Sequence, residues 1–336
     1  MGARNIVLLV TAAVLLAAVA WLLPWTRTFL VIAMSKGLAA LGIVILLRAG
    51  QVSFGHAMFF AVSAYAAGFA SRMLGGTDIA VMLAVGIAAA TVLSLVVGLF
   101  VVRYRQIFFG MLNLAFSMVL YSILEKFFEI TGGSDGLRLS RPSMFGLVLQ
   151  RNDFDLMLVF LSIALALGAT LAVQVYFASS YGQALRAIKS NETRLEYIGV
   201  SARLVLLIGY VVSAVTGAIG GVLLAALQGL ASPSFSYWIQ SGEFVFIAIL
   251  GGSAFPAGAF VGALVYEGVR IYAAAFANDI WELVLGLVII GIILFAPRGL
   301  VGLAVETFSS PRKREAVPEG SVPMTNAAPA KGSAEQ

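Results

Sequence analysis

The chain has 336 residues, of which 61% are apolar and only 11% charged. Soluble domains carry about 25% charged residues, so this chain is not a soluble globular enzyme, and its high hydrophobicity equally excludes a fully disordered polypeptide. A mean hydropathy of +1.00 points to lipid as the main solvent. There is no cysteine and a single histidine, His56, which excludes disulfides, thiol chemistry and a His/Cys metal cluster.

Ten apolar segments follow one another: Ile6–Leu23, Phe29–Leu47, Val52–Ala70, Ile79–Val102, Ile107–Leu124, Asp155–Phe177, Leu204–Leu227, Gly242–Leu250, Ala257–Ala275 and Ile280–Ala296. One crossing takes about 20 residues, so the expected fold is an all-α polytopic transmembrane helix bundle of about ten spans, some short or broken. If every segment crosses from an inner N-terminus, Arg4, Arg48, Arg103, Arg105, Arg186, Lys189, Arg194, Arg203 and Arg298 fall inside. The tail residues Arg312, Lys313 and Arg314 join them. Arg27, Arg72, Lys126, Arg138, Arg141 and Arg151 fall outside, mixed with Asp78, Glu125, Glu129, Asp135, Asp153, Asp155, Asp279 and Glu282. Cytoplasmic loops are enriched in Lys and Arg, so this distribution places both termini inside and assigns the net charge of +5 to topology, with no nucleic-acid partner. The first segment shares features with a signal peptide, ending in Ala18-Val19-Ala20, but its apolar run continues through Leu23, so a retained anchor is expected.

Residues 1–305 read as the membrane domain and residues 306–336 as a disordered cytoplasmic tail, marked by Pro311, Pro318, Pro323 and Pro329. Small residues recur every four positions at Ser213, Gly217 and Gly221, and at Gly258 and Gly262. Helices in lipid pack by close backbone approach, so these describe a tight bundle.

Three stretches depart from the lipid-like background. Gly50-Gln51-Val52-Ser53-Phe54-Gly55-His56 puts glycines and polar side chains at membrane depth, where irregular backbone needs protein or an aqueous cavity to cover it. It reads equally as a broken helix lining a passage or as a packed helix start with Ser and His bonded to nearby carbonyls. A serine and a histidine this close on one helix do not make a nucleophile–base pair. The second stretch, residues 179–203, is polar but carries Leu185 and Ile188, then Leu195 and Ile198, at helical spacing. Asn191 is suited to cap a second short helix and Gly199 to end it. Two amphipathic stripes need a surface to bury against, and a cytoplasmic protein partner is expected. The third stretch, Thr131-Gly132-Gly133-Ser134-Asp135-Gly136, reads as a turn on the outer side.

Charges within apolar runs are functional candidates: Lys36, Glu267 and Glu243, the last opening a short segment that ends at Gly251-Gly252. Interrupted segments in both halves of the chain fit a transporter built from repeats.

The blocks GQVSFGHAMFFAVSAYAAG, MLNLAFSMVLYSILEKFFEITGGSDGL, YGQALRAIKSNETRLEYIGV, SGEFVFIAILGGSAFPAG and PRGLVGL resemble the M-type permease subunit of branched-chain amino acid ATP-binding-cassette (ABC) importers. They run in that family's order from about Gly50 to Leu303. The resemblance implies that Gly182, Ala184, Leu185, Arg186, Ala187, Ile188, Asn191, Glu192 and Gly199 form a cytoplasmic segment coupling to an ATPase. It also implies two ATP-binding-cassette ATPase subunits, a second homologous permease of the H-type, and a periplasmic or extracellular substrate-binding protein docking near Thr131, Gly132, Gly133, Asp135 and Gly136. The substrates implied are leucine, isoleucine and valine, with relatives moving other amino acids, urea or amides, across the inner membrane.

In such a subunit no catalytic residue or cofactor is expected, and the chain has no G-x-x-x-x-G-K-[ST] phosphate loop. Gln51, Ser53, Gly55, His56, Asn113, Ser117 and Glu243 are the candidates for lining the route. Phe54 and Phe109 stand where the family often has smaller residues, and Glu125 and Glu129 add outer charge. The rival reading is an ion-coupled secondary transporter using Glu243, Glu267 and Lys36 as relay groups.

Overall fold

The computed structural model describes residues 3–74, 77–276, 280–296 and 299–308. All ten apolar segments are helices. In chain order they are α1 (Ala3–Leu22), α2 (Arg27–Arg48), α3 (Ala57–Met73), α4 (Ile79–Val101), α5 (Gln106–Lys126), the single turn α6 (Phe128–Thr131), α7 (Arg151–Ala178) and α8 (Ser180–Tyr197). Next come α9 (Ala202–Gln228), α10 (Trp238–Gly251), α11 (Gly258–Phe276), α12 (Trp281–Phe295) and α13 (Gly299–Phe308). Helix α13, which opens within the PRGLVGL block and runs on to Phe308, was not expected as an element. It carries helix past residue 305. Asp279, Arg298 and the tail from residue 309 lie outside the described residues.

Several boundaries shift, two of them where the site is built. The segment expected over Val52–Ala70 becomes helical only at Ala57, and the short segment at Gly242 begins earlier, at Trp238. Even so, the 14 residues of α10 span about 21 Å at 1.5 Å each, less than a hydrocarbon core of about 30 Å. Among the described residues, the stretches long and apolar enough to cross are Pro24–Arg48, α4, α5, α7 and α9.

Helices α2 and α9 cross at the centre, and α3, α4, α7 and α11 surround them. Lipid offers no hydrophobic drive between helices, so contact depends on close approach. Gly221 of α9 lies against the Phe60 carbonyl and Gly220 against that of Ser35. Gly258 and Gly262 abut Gly251 and the Ile247 carbonyl. The four-residue recurrences are therefore packing seams, as expected.

The loops gather at opposite ends of the bundle. At one end Gly50 lies beside Lys189, Gln51 bonds Gln106, and Arg105 bonds Glu192. At the other, Arg27 bonds Asn152, Ser71 bonds Ser140, and Leu137–Arg138 (β1) pairs antiparallel with Leu230–Ala231 (β2). This two-residue ladder was not foreseen. Asp78 caps α4 by accepting from the Ala80 N–H and also takes the Gly146 N–H and Ser143 O–H. Donation from the Ala80 amide, helped by these neighbours, holds the Asp78 carboxyl below its ordinary range.

Candidate translocation core and coupling helix

Residues 52–56 form no helix. They carry the chain from the end of α2 to the start of α3 in the interior of the bundle. Gly55 makes this possible, because a Cβ there would run into the Asn113 carbonyl of α5. The His56 Nε2–H donates to the Ser213 carbonyl at 3.0 Å, near the middle of α9. Gly42 and Gly217 leave room for the ring on either side. Asn113 donates to the Phe109 carbonyl at 2.8 Å and accepts from the Tyr210 hydroxyl. The Ser117 hydroxyl donates to the Ser236 carbonyl at 2.7 Å, and the Ser241 hydroxyl accepts the Ala57 N–H at 3.0 Å. The starts of α3 and α10 therefore meet at mid-depth, each after an interruption of helix.

The structure thus joins the two readings of the first stretch. The helix is broken, and His56 is bonded to a carbonyl. Ser53, His56, Asn113 and Ser117 have no exposed surface, so they are sealed inside this chain rather than open to a passage. Among the described residues, the Ser53 hydroxyl and His56 Nδ1 are buried without a protein hydrogen-bond partner. Gln51 serves elsewhere: its Oε1 accepts the N–H of Gln106, whose φ of +55° needs support. At this depth Phe54, Trp238 and Ile239 reach an open flank, and the polar Gln240 and Glu243 reach it in part.

The intramembrane charges form one cluster. Lys36 of α2 lies 2.7 Å from Glu243 of α10 and 2.5 Å from Glu267 of α11, and Arg270 lies 3.3 Å from Glu267. Gln240 also donates to Glu243, and the Lys36 ammonium faces the Tyr266 ring. Two cations meet two carboxylates, so the cluster is neutral. Buried charges persist in this form, paired and hydrogen-bonded. Sequence alone shows three isolated charges; that they pair could not be read from their spacing.

At the loop end, Ser179 caps α8, and the helix breaks at Asn191 (φ −164°, ψ 102°), whose Oδ1 accepts the Arg194 N–H. Gly199, at φ +83°, lies just past its end. The kinked pair is as expected, but the cover for its stripes is not. Leu185, Ile188 and Leu195 are buried within this chain, with Leu185 against Gly209 of α9. Burial of this kind stabilises by about 1.5–3 kcal/mol per side chain, so these three residues need no partner, whereas Ile198 of the second stripe stays uncovered. Outward lie Tyr197 and Ile198, 87% and 73% exposed, and Tyr181, with the cations Arg186, Lys189 and Arg194 outnumbering the exposed acid Glu196. Gly182 is buried, and Ala184 and Ala187 are half-buried. Glu192 pairs with Arg105 through both carboxylate oxygens, at 2.6 and 2.8 Å. Arg105 was missed as a partner, although its predicted side of the membrane pointed to it.

At the opposite end, Gly132, Gly133 and Gly136 have φ of +79°, +54° and +74°, a turn that side chains with a Cβ resist. The Thr131 hydroxyl caps it by donating to the Leu124 carbonyl at 2.6 Å. The turn delivers Leu137 to β2, while Asp135 stays exposed.

The model of the family described as branched-chain amino acid transport system / permease component matches residues 25–293. The chain belongs to this permease family. The permease is 24% identical to the high-affinity branched-chain amino acid transport system permease protein LivM of Escherichia coli K12, over 86% of this chain and 73% of the relative. It is 24% identical to LivM of Salmonella typhimurium LT2, over 82% and 68% respectively. Similarity to LivH of the same Salmonella strain is 23%, over 75% and 86%. No solved structure matches it. The permease is a multi-pass membrane protein of the transport class, and its M-type resemblance stands.

Proposed function

We propose that this permease is one membrane subunit of an ATP-driven importer carrying leucine, isoleucine and valine into the cytoplasm. Two ATP-binding-cassette ATPase subunits, a second homologous permease and a substrate-binding protein outside the membrane complete the machine. The reading rests on α8. It is a kinked helix at one end of the bundle, tied to the α4–α5 turn by Arg105–Glu192, with a basic and aromatic outer face left uncovered. That face is the surface an ATPase groove would hold, so nucleotide-driven closure would be passed to the spans. In this arrangement α8 lies in the cytoplasm with both termini, the chain sits in the inner membrane, and Thr131–Gly136 faces the binding protein.

The decisive experiment is co-purification. Arg186→Glu, or deletion of Glu192–Glu196, should abolish ATPase association while leaving membrane insertion intact. Normal association of both variants would refute the coupling role. Urea or short amides are the alternative cargo, separated by competition in a transport assay. An ion-coupled mechanism is favoured only by the Lys36–Glu243–Glu267 cluster. Uptake by the chain alone, driven by a proton or sodium gradient in proteoliposomes, would establish that mechanism.

A further inference from the structure

Helix α10 begins inside the membrane and is bare on one side. Its depth is set by two bonds: Ser236, just before it, meets Ser117 near the middle of α5, and Glu243 meets Lys36 near the middle of α2. The first turn of a helix leaves N–H groups without intrahelical acceptors, and no side chain caps this one. Among the described residues, the one first-turn bond reaching back is from the Gln240 N–H to the Tyr237 carbonyl. Trp238 and Ile239 in this turn are 47% and 52% exposed. Gln240 and Glu243 reach the same side in part, and space is open beyond Gly242.

Hydrocarbon cannot cover such a surface, because each unsatisfied backbone group there costs several kcal/mol and a carboxylate costs more. Helix α4 is the contrast. Its outward residues Val92, Val96 and Leu99 are exposed and wholly apolar, which suits acyl chains. The bare flank of α10, bordered by α5, therefore needs protein or an aqueous cavity to cover it, and the large apolar Trp238 and Ile239 on the same turn favour a protein neighbour of matching depth. Escherichia coli K12 and Salmonella typhimurium LT2 each carry LivM and LivH, two permease proteins similar to this one chain, so a neighbour of the same family and the same span is at hand. Gly242 supplies the small residue that lets its helix come close.

We infer that the first half of α10, with the adjoining face of α5, is the surface on which the second, homologous permease is seated. The inference rests on the paired-permease reading above and adds to it the face. The native chain has no cysteine, so single cysteines can be placed without prior removal. Gly242→Cys, Ile239→Cys and, as the lipid-facing control, Val92→Cys are labelled in native membranes with benzophenone maleimide and irradiated, and adducts are identified by mass spectrometry. The expected result is an adduct with the homologous permease at Gly242→Cys and Ile239→Cys, at least tenfold above that at Val92→Cys. Adducts with lipid alone at both α10 positions, with a second copy of this chain, or with the homologous permease at Val92→Cys instead, would overturn the assignment. Pull-down of the tagged, unlabelled chain is the separate arm. Recovery without any second permease defeats the pairing itself, whereas recovery with it leaves only the face in question.

Discussion

Removing the Lys36 ammonium is the sharpest perturbation of the intramembrane cluster. Lys36→Met keeps the length of the side chain and takes away one charge. Among the described residues, Glu243 then retains Gln240 and the neighbouring Tyr266 hydroxyl, and Glu267, with no exposed surface, keeps Arg270 at 3.3 Å. A buried pair broken from one side costs roughly 3–5 kcal/mol, because the abandoned charge stays desolvated. Restoring neutrality should return most of that loss, so Lys36→Met combined with Glu243→Gln should be clearly more stable than Lys36→Met alone, although it carries one more substitution. The two positions touch, so the non-additivity is the signal. The assay is thermal unfolding of the detergent-purified chain, followed by size-exclusion chromatography after heating. If Lys36→Met melts with the wild type, or the double variant melts no higher than the single one, the charges do not stabilise each other as argued.

The Arg105–Glu192 pair is about a quarter to a third exposed, so it contributes ~0–1 kcal/mol to stability. Arg105→Glu should therefore leave the melting temperature nearly unchanged while reducing ATP-driven transport, and Arg105→Glu with Glu192→Arg should restore it; an equal loss in both would remove the pair from the coupling route. Gly55→Ala forces a methyl into the Asn113 backbone, an overpacking of about 1–3 kcal/mol, and transport by the inserted protein should fall; unchanged transport and melting would show that the re-entrant segment yields freely. Asp78→Ala removes a helix cap worth ~1 kcal/mol. Because the folded-state Asp78 carboxyl lies below its ordinary range, its contribution is complete above about pH 4 and is lost as the pH falls through the lower folded value. Proteolysis of the 142–148 loop should accelerate in acid for the wild type and at neutral pH for Asp78→Ala; identical digestion would deny the cap its role.

The helices were legible because lipid imposes a simple rule, and ten apolar runs gave ten helices. Asn191 and Gly199 were legible for a local reason, since capping and termination depend on side chains within a turn of one another. The start of α3 at Ala57, not at Val52, was decided by the contact of Gly55 with Asn113, far along the chain in α5, and no local pattern encodes it. The same limit applies to Lys36 and Glu243, which lie 207 residues apart, and to the pairing of β1 with β2. At α8 the sequence leaves the cover of the stripes open. An apolar stripe on a polar helix demands burial, and sequence cannot say whether the cover is the chain's own helices or another protein. Here α9 and its neighbours cover Leu185, Ile188 and Leu195, while Ile198 stays exposed.

The kind of bond that holds each element follows a pattern. Helices α2 and α9 are locked by contact of small residues with backbone, as at Gly220 and Gly221, where any displacement forfeits close packing along a whole face. Helix α5 is held at points, whereas α8 also packs on α9 through Leu185 and α10 on α11 through Gly251. Helix α8 reaches α5 through Glu192 and Arg105, which immediately precedes it, and α5 reaches the start of α10 through Ser117 and the Ser236 carbonyl. Gln106 and Ser117 are separated by about 17 Å of continuous helix, so the three contacts make one unbroken line from the loop end to mid-depth. A hydrogen bond contributes only about 0.5–1.5 kcal/mol net, far less than the interlocked centre. A force applied at α8 loads α9 through Leu185 and α5 through Arg105, and α5, the less closely packed of the two, would move first. That order suits a subunit which must rearrange one flank while keeping its core closed to leakage.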